Sequence, residues 1–318
     1  MHILVTGAAG FIGSHLAAAV LNDGHKLRIV DNFSTGRRQN LAHLTAAEFI
    51  EGDISDSKTA AKIVDGIDVV FHEAAIPSVA RSLAEPMLTH KANIDGTITL
   101  LVAARDAGVK RFVYAGSSSA YGDTLELPKV ETMPANPLSL YAHQKLTGEQ
   151  YCKLFARFYG LETVVLRYFN VYGPRQDPSS KYAAVIPLFI EAMLRDEPLH
   201  VEGDGTQSRD FTFIDDVVQA NLKAMVAPNV SGEVFNVGCG RNYTLHQLIQ
   251  HLTDLTSRKP KVKYVAPRPG DVAHSLASIE KAKKLLGYEP LYTFQKGLEA
   301  TTNWYRSQTA LVAHSPAA

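Results

Sequence analysis

The sequence is short of cysteine: Cys152 and Cys239 are the two thiols in 318 residues. A pair so far apart makes neither a disulfide scaffold nor a metal-ligand cluster. It fits a reducing compartment, so a cytoplasmic protein without a metal is expected. Net charge is also absent, because 32 basic residues balance 32 acidic ones. That removes the electrostatic case for a nucleic-acid or acidic-membrane partner. No apolar run reaches the ~20 residues that span a bilayer. The first residues carry no apolar stretch with a cleavage site, so no leader is expected. There is no internal repeat, and the Ala/Ser-rich stretch 307–318 reads as a disordered tail. What is left is 46% hydrophobic and 20% charged. That is the composition of a globular chain with a large core, long enough for one large or two coupled domains.

Glycine is not scarce, and its placement is the first positive signal. Residues 2–6 form a short apolar run that suits a buried parallel strand. Gly7-Ala-Ala-Gly10-Phe11-Ile12-Gly13 follows, then a helical pattern with Ile12, Leu16, Ala19 and Val20 on one side. Strand, glycine turn and helix are the context of a dinucleotide fingerprint. Gly7 allows the tight turn, Gly10 lets the backbone approach a pyrophosphate, and Gly13 lets the helix pack close. The helix N-terminus supplies amides to the phosphates. The next strand, 26–30, ends at Asp31-Asn32. An acid about 20 residues past the glycines accepts from the adenosine ribose hydroxyls and repels a 2′-phosphate. That favours NAD over NADP, although Arg37 and Arg38 are near in sequence.

Strand and helix patterns then alternate. Strands are expected at 48–51, 67–72, 111–115 and 162–166, with helices ending near 64 and spanning 86–108 and 137–159. This is an α/β chain with a Rossmann-type doubly wound parallel sheet over 1–170, to which 215–240 returns. In such sheets the loops after the strands' carboxyl ends carry the ligand site. Asp53, Ala74-Ala75 and Ser117 to Ser119 sit on such loops. From 171 to 306 a smaller α/β lobe is expected. It would contain a helix over 182–194, a strand near 199–201, a helix from 215, a strand at 233–237, a helix capped by Thr244, and two short final helices. Basic and amide side chains on its loops suit a lobe that closes over a phosphorylated ligand.

Tyr141 and Lys145 lie four residues apart on the 137–159 helix and therefore share one face. A free phenol titrates near ~10, and a nearby ammonium pulls that value down. Such a pair can take a proton from a sugar hydroxyl and later return it. His143 reads as a helix-surface residue, and Cys152 as packing, since no acid–base set accompanies it.

Gly7-x-x-Gly10-x-x-Gly13, Asp53-Ile54, Ser117-Ser118-Ser119, Tyr141-x-x-x-Lys145 and Ser208-Arg209-Asp210-Phe211 occur in one order over nearly the whole chain. The set resembles the extended short-chain dehydrogenase/reductase family and, within it, the nucleotide-sugar 4-epimerases. Arg175-Gln176-Asp177-Pro178 and the segment Tyr182 to Pro187 are similar to the bacterial UDP-N-acetylglucosamine and UDP-N-acetylhexosaminuronate 4-epimerases. The resemblance implies an NAD-dependent isomerase acting on a UDP-sugar. It also implies a homodimer in which helices 86–108 and 137–159 pack with their mates.

The resemblance assigns roles residue by residue. Ser117 would bond the sugar O4 beside Tyr141, and Lys145 would bind the nicotinamide ribose and lower the phenol's pKa. Gly7, Gly10, Phe11, Ile12, Gly13, Asp31, Asn32, Asp53, Ile54, Ala74, Ala75, Asn93 and Tyr168 would surround the cofactor. Ser78, Ser118, Ser119, Asn170, Val185, Arg209, Arg268, Asp271 and Ser275 would surround the UDP-sugar. Two arginines suit a diphosphate, because their planar forks donate in pairs. Ser275, or His274 if the register differs by one, stands where a small residue would admit a 2-acetamido group. Dehydrating and decarboxylating relatives carry an acid where this chain has Ser118 and Ser119, which disfavours water elimination. Asp177 stands where uronate 4-epimerases often carry a second arginine. A UDP-uronate epimerase, and a net dehydrogenase or reductase that releases its cofactor each turnover, stay open.

Overall fold

The structure, a computed structural model, describes residues 1–179, 183–266 and 272–313. The strands are β1 (His2–Thr6), β2 (Lys26–Asp31), β3 (Glu48–Glu51), β4 (Val69–His72), β5 (Arg111–Ser117), β6 (Glu162–Tyr168), β7 (Val171–Tyr172), β8 (Leu199–Glu202), β9 (Ser208–Arg209), β10 (Thr212–Phe213), β11 (Glu233–Val237), β12 (Tyr243–Thr244) and β13 (Val262–Val265). Seven of them form one sheet in the order β11-β6-β5-β4-β1-β2-β3, parallel throughout. Its order reverses beside β1, so a crevice opens outside the carboxyl ends of β1 and β4. The remaining strands pair two by two, β10 with β7, β12 with β9 and β13 with β8.

The side-chain period of two explains why these strands read as unbroken apolar runs. Ile3, Val5, Phe71, Val113, Val164 and Leu166 point into one core cluster. Their neighbours Leu4, Val70, Phe112, Tyr114 and Val165 point into the other. Helices cover both faces. On the first lie α1 (Phe11–Asn22) and, later in the chain, the helix Ile214–Val226. On the second lie α2 (Ser57–Val64) and the helices Gly96–Asp106 and Leu140–Tyr159.

Several boundaries differ from the sequence reading for visible reasons. Ser78 caps a short helix that the pattern did not announce, α3 (Val79–Ala84), accepting from Arg81 N at 3.0 Å. The expected helix over 86–108 is three pieces: α4 (Pro86–His90), a π-helical turn Lys91–Asp95, and α5 (Gly96–Asp106). The next long helix, α6 (Leu140–Tyr159), starts later than residue 137 because Ser139 caps it, and Gly160 ends it at φ +69°. β4 begins at Val69 rather than 67, while β5 and β6 run two residues past their expected ends.

The helix expected from Tyr182 begins at Val185 as α7 (Val185–Leu194), and Tyr182 lies outside the described residues. α8 (Ile214–Val226) follows β10, and Thr244 caps α9 (Leu245–Thr256) in a reciprocal box with Gln247. α10 (Glu280–Leu286) is short, as expected. The last helix is not: α11 (Phe294–Ala313) is 20 residues long and runs through much of the stretch read as a tail. Its buried positions Phe294, Leu298, Thr301, Thr302 and Tyr305 follow helical spacing. Two of them are polar, which masked the stripe. No helix among the described residues is long and apolar enough to cross a membrane.

Candidate active site

The crevice starts at the glycine turn. Gly7 has φ +66°, and an added Cβ there would lie 2.7 Å from Ala74 Cα. A Cβ on Gly13 would overlap the Gly7 carbonyl oxygen. Turn, helix α1 and the loop after β4 are therefore in backbone contact. Gly10 is the N-cap of α1 and offers no side-chain cap, so amides of the first turn are open to an anion. Phe11 and Ile12 begin that turn.

Asp31 closes the end of β2. Its carboxylate accepts from Ala9 N at 2.9 Å and Phe33 N at 2.7 Å. Burial raises its pKa, and these backbone donors pull the other way. Each oxygen keeps a lone pair for a further donor. Asn32 is exposed and accepts from Ser34 N at 3.0 Å. Asp53 takes the amide and hydroxyl of Ser55, with Lys91 Nζ at 4.0 Å. Ile54 packs on Gly96.

Asn93, on the π-helical turn, accepts from Ile76 N at 2.8 Å and donates to Gln144 at 2.8 Å. Its amide thus clamps the loop that carries Ala74 and Ala75, while Ala74 N donates to Thr6 Oγ1 at 3.1 Å. A turn with no room for Cβ atoms, an uncapped helix start and an acid at the end of β2 fit a dinucleotide.

Across the crevice, α6 presents Tyr141 and Lys145. Tyr141 N donates to Ser82 Oγ at 3.1 Å, which fixes the start of the helix against α3. Lys145 is buried, donates to the Ala115 carbonyl at 2.8 Å and lies 5.0 Å from the centre of the Tyr114 ring. Ser117 Oγ is 2.7 Å from Ser119 Oγ, and Ser118 opens the short turn after β5. Burial pushes the Tyr141 phenol up to about 12, and a hydrogen bond with Ser117 pulls it back. Lys145 is turned toward Ala115, and burial, opposed by Glu73, lowers its own pKa to about 8. Tyr168 donates to Glu73 Oε1 at 2.7 Å and accepts from Asn221 Nδ2 at 2.8 Å.

The far end is held by side chains. Asn170, at φ +29°, donates to Ser275 Oγ at 3.0 Å and to the Asp210 carbonyl at 3.3 Å. Arg209 Nη1 donates to the Ser208 and Ala273 carbonyls. Asp210 is fully buried and accepts from Cys239 N, Gly240 N and Ala277 N at 2.8 to 3.0 Å. His274 Nδ1 bonds Ser208 Oγ at 2.9 Å.

Asn170, Arg209 and Ser275 therefore come together through the segments around Ser208 and Ala273. Ser78 spends its hydroxyl on capping α3, and Val185 is half-buried at the start of α7. Arg268 and Asp271 lie outside the described residues. The sequence reading missed Glu73, Ser82, Gln144, Asp210 and Asn221. Of these, Asp210 had a signal, its position inside the Ser208-Arg209-Asp210-Phe211 motif.

Residues 3–238 match the profile described as the NAD-dependent epimerase/dehydratase family. Among solved structures, UDP-glucose 4-epimerase of Thermotoga maritima with UDP-glucose is 42% identical at TM-score 0.92, covering 97% of this chain and 100% of that one. UDP-N-acetylglucosamine 4-epimerase of Methanobrevibacter ruminantium with UDP-N-acetylmuramic acid is 39% identical at TM-score 0.92, covering 96% and 98%. UDP-glucuronic acid 4-epimerase of Bacillus cereus with UDP-glucuronic acid and NAD is 35% identical at TM-score 0.91, covering 97% and 100%.

Proposed function

We infer the reaction from one premise: this chain belongs to the NAD-dependent epimerase/dehydratase family. It is an NAD-dependent UDP-sugar 4-epimerase. Within that class we propose that it interconverts UDP-N-acetylglucosamine and UDP-N-acetylgalactosamine, with UDP-glucose and UDP-galactose as a second pair. The observation that carries the choice is Ser275. It is a small side chain, 8% exposed, hydrogen-bonded to Asn170. The sugar has to turn over between the two halves of the reaction, so the wall must clear a 2-acetamido group in both poses. The uronate alternative is disfavoured by Asp177, which is an acid bridged to Arg37 rather than a cation facing a carboxylate.

Gly7, Gly10, Phe11, Ile12, Gly13, Asp31, Asn32, Asp53, Ile54, Ala74 and Ala75 would hold NAD, with Asn93 fixing the β4 loop beneath it and Tyr168 beside it. When bound, the cofactor supplies reversible hydride acceptance from C4 of the sugar, so O4 passes through a ketone. As the phenolate, which the Lys145 charge favours, Tyr141 removes the O4 proton and returns it after the sugar has turned. Ser117 would bond O4 beside Tyr141, donating its one hydrogen to one of the two oxygens and accepting from the other; its bond to the phenol is the one interaction that lowers the Tyr141 pKa. Lys145 brings positive charge to the same wall. Ser118, Ser119, Asn170, Val185 and Arg209, together with Arg268 and Asp271, would retain the UDP while the hexose rotates, with Ser78 near the sugar.

The division of labour follows: residues 1–170 with 215–240 bind the cofactor, and 171–306 bind UDP. A homodimer through the helices of 86–108 and 140–159 is supported by the exposed apolar side chains Met87 and Leu88 on α4 and Leu154 and Phe158 on α6.

The test is incubation with a panel of UDP-sugars without added NAD, followed by separation of the C4 epimers. UDP-N-acetylglucosamine is expected to turn over at least as efficiently as UDP-glucose. Ser275→Tyr should then lose most acetamido-sugar activity and keep UDP-glucose turnover. Overpacking costs ~1–3 kcal/mol, or roughly 5- to 150-fold in rate. Equal losses on both substrates would remove Ser275 from the choice of sugar.

A further inference from the structure

The mechanism leaves one ionisable group on the cleft wall unused. Glu73 is the first residue after β4 and is half-buried. The Tyr168 hydroxyl donates to its Oε1 at 2.7 Å, and Asn221 Nδ2 donates to that hydroxyl at 2.8 Å. The carboxylate is therefore gripped from β6 and α8 rather than free to rotate. Strand register puts it next to the anchor of Lys145. β4 and β5 pair in parallel with His72 opposite Tyr114, and Glu73 and Ala115 are the residues that follow that pair on the two chains. Lys145 Nζ donates to that same Ala115, through its carbonyl, at 2.8 Å. Lys145 is thus anchored to the β5 residue that follows the same strand pair as Glu73 does on β4.

The other titratable groups around Lys145 carry no charge that could serve. Burial pushes Tyr114 and Cys152 upward and His72 down to about 3, so all three are neutral at working pH. Tyr141, on the same helix, is pushed up to about 12. Glu149, one turn further along α6, is taken by Arg167 and Lys153. Burial lowers Lys145 and Glu73 opposes that shift; burial raises Glu73 and Lys145 opposes that one.

We propose that Glu73 is a positioning residue for the reaction. Clamped by Tyr168 and Asn221, its carboxylate is the counter-charge that keeps the Lys145 ammonium protonated and aimed along the end of β5. The proposal rests on the roles given above to Tyr141 and Lys145. Glu73→Gln keeps the shape and the acceptor for Tyr168 but removes the charge. Without the group that opposes desolvation, Lys145 gives up its proton at lower pH. The alkaline limb of kcat in the holoenzyme is then expected to move to lower pH. Near pH 9 the variant should lose about tenfold in kcat relative to wild type, with KM for the UDP-sugar changed less than about twofold.

The titration of Lys145, followed by NMR on lysine-labelled protein and assigned with Lys145→Arg, should move the same way. An alkaline limb and a lysine titration that both match wild type overturn the proposal. A wild type that epimerises no UDP-sugar, while the lysine titration still moves in Glu73→Gln, faults the reading of the reaction and supports the pairing. Should Glu73→Gln fail to fold, Tyr168→Phe releases the clamp and keeps the charge. It is expected to shift Lys145 in the same direction by less, and no shift in that variant overturns the proposal.

Discussion

The two ends of the crevice are built by opposite means. At the end proposed for the cofactor the backbone does the shaping: Gly7, Gly13 and Ala74 touch without side chains between them, and α1 begins without a side-chain cap. At the end proposed for UDP the strands β7, β9, β10 and β12 are two residues long. Side chains hold the loops there. Asp210 gathers three backbone amides from two other segments, Asn170 reaches Ser275, and His274 reaches Ser208. The first end rests on the regular sheet and tolerates little added volume. The second rests on a few polar contacts, so single polar changes there should act on substrate binding while leaving the cofactor in place.

The largest expected effect breaks the first end. Gly13→Ala drives a methyl into the Gly7 carbonyl, and backbone on both sides has nowhere to move. The purified variant should carry no bound NAD, measured by releasing nucleotide from denatured protein. Nucleotide at wild-type stoichiometry would show that the turn is looser than its contacts.

Asp210→Asn tests the second end. One oxygen cannot serve three amides, and its new NH₂ meets the Cys239 or Gly240 amide. A hydrogen bond to a charged group is worth about 1.5–3 kcal/mol. KM for the UDP-sugar should therefore rise about tenfold or more while NAD content stays at the wild-type level. Loss of both together would mean that the two ends are not separable.

The two ends also differ in the sign of their pH dependence, a smaller effect. His72, between Thr6 and Thr97 at 2.9 Å from each hydroxyl, is held neutral, lowered by burial from 6.5 to about 3. Its contribution to stability is fully present above 6.5 and is lost as pH falls through that window. Asp210 is raised by burial from 3.8 to about 6. Its contribution is present below 3.8 and is lost as pH rises through 6. Denaturant unfolding between pH 3 and 7 should give a flatter acid slope for His72→Phe than for wild type. An identical slope would mean that another group carries the acid sensitivity.

The same contrast explains what could be read from the sequence. The central strands announced themselves because Val, Ile and Leu fill both faces of a parallel sheet, and the glycines because their spacing follows from a phosphate-binding turn. The π-helical turn at Lys91–Asp95 has no marker: Lys-Ala-Asn-Ile-Asp reads as ordinary helix, and its form answers to Asn93 reaching Ile76 and Gln144. Glu73 was invisible for a related reason. Its partner Tyr168 is 95 positions away, and the next link, Asn221, is 53 further. Such contacts are created by the sheet crossovers and leave no local pattern. The direction in which Lys145 points belongs to the same class, since helical spacing sets its face but not what its ammonium finds there.

The central claim is that this protein reverses C4 of a UDP-sugar with a retained NAD and with Tyr141 carrying the proton. The direct measurement is incubation of wild type and Tyr141→Phe with UDP-N-acetylglucosamine, without added cofactor, with both epimers and bound NAD quantified. The account predicts UDP-N-acetylgalactosamine from wild type, a rate ~10²–10⁴-fold lower from Tyr141→Phe, and equal NAD content in the two. Near wild-type turnover by Tyr141→Phe, or product from wild type that depends on added NAD and accumulates as an oxidised sugar, would contradict it.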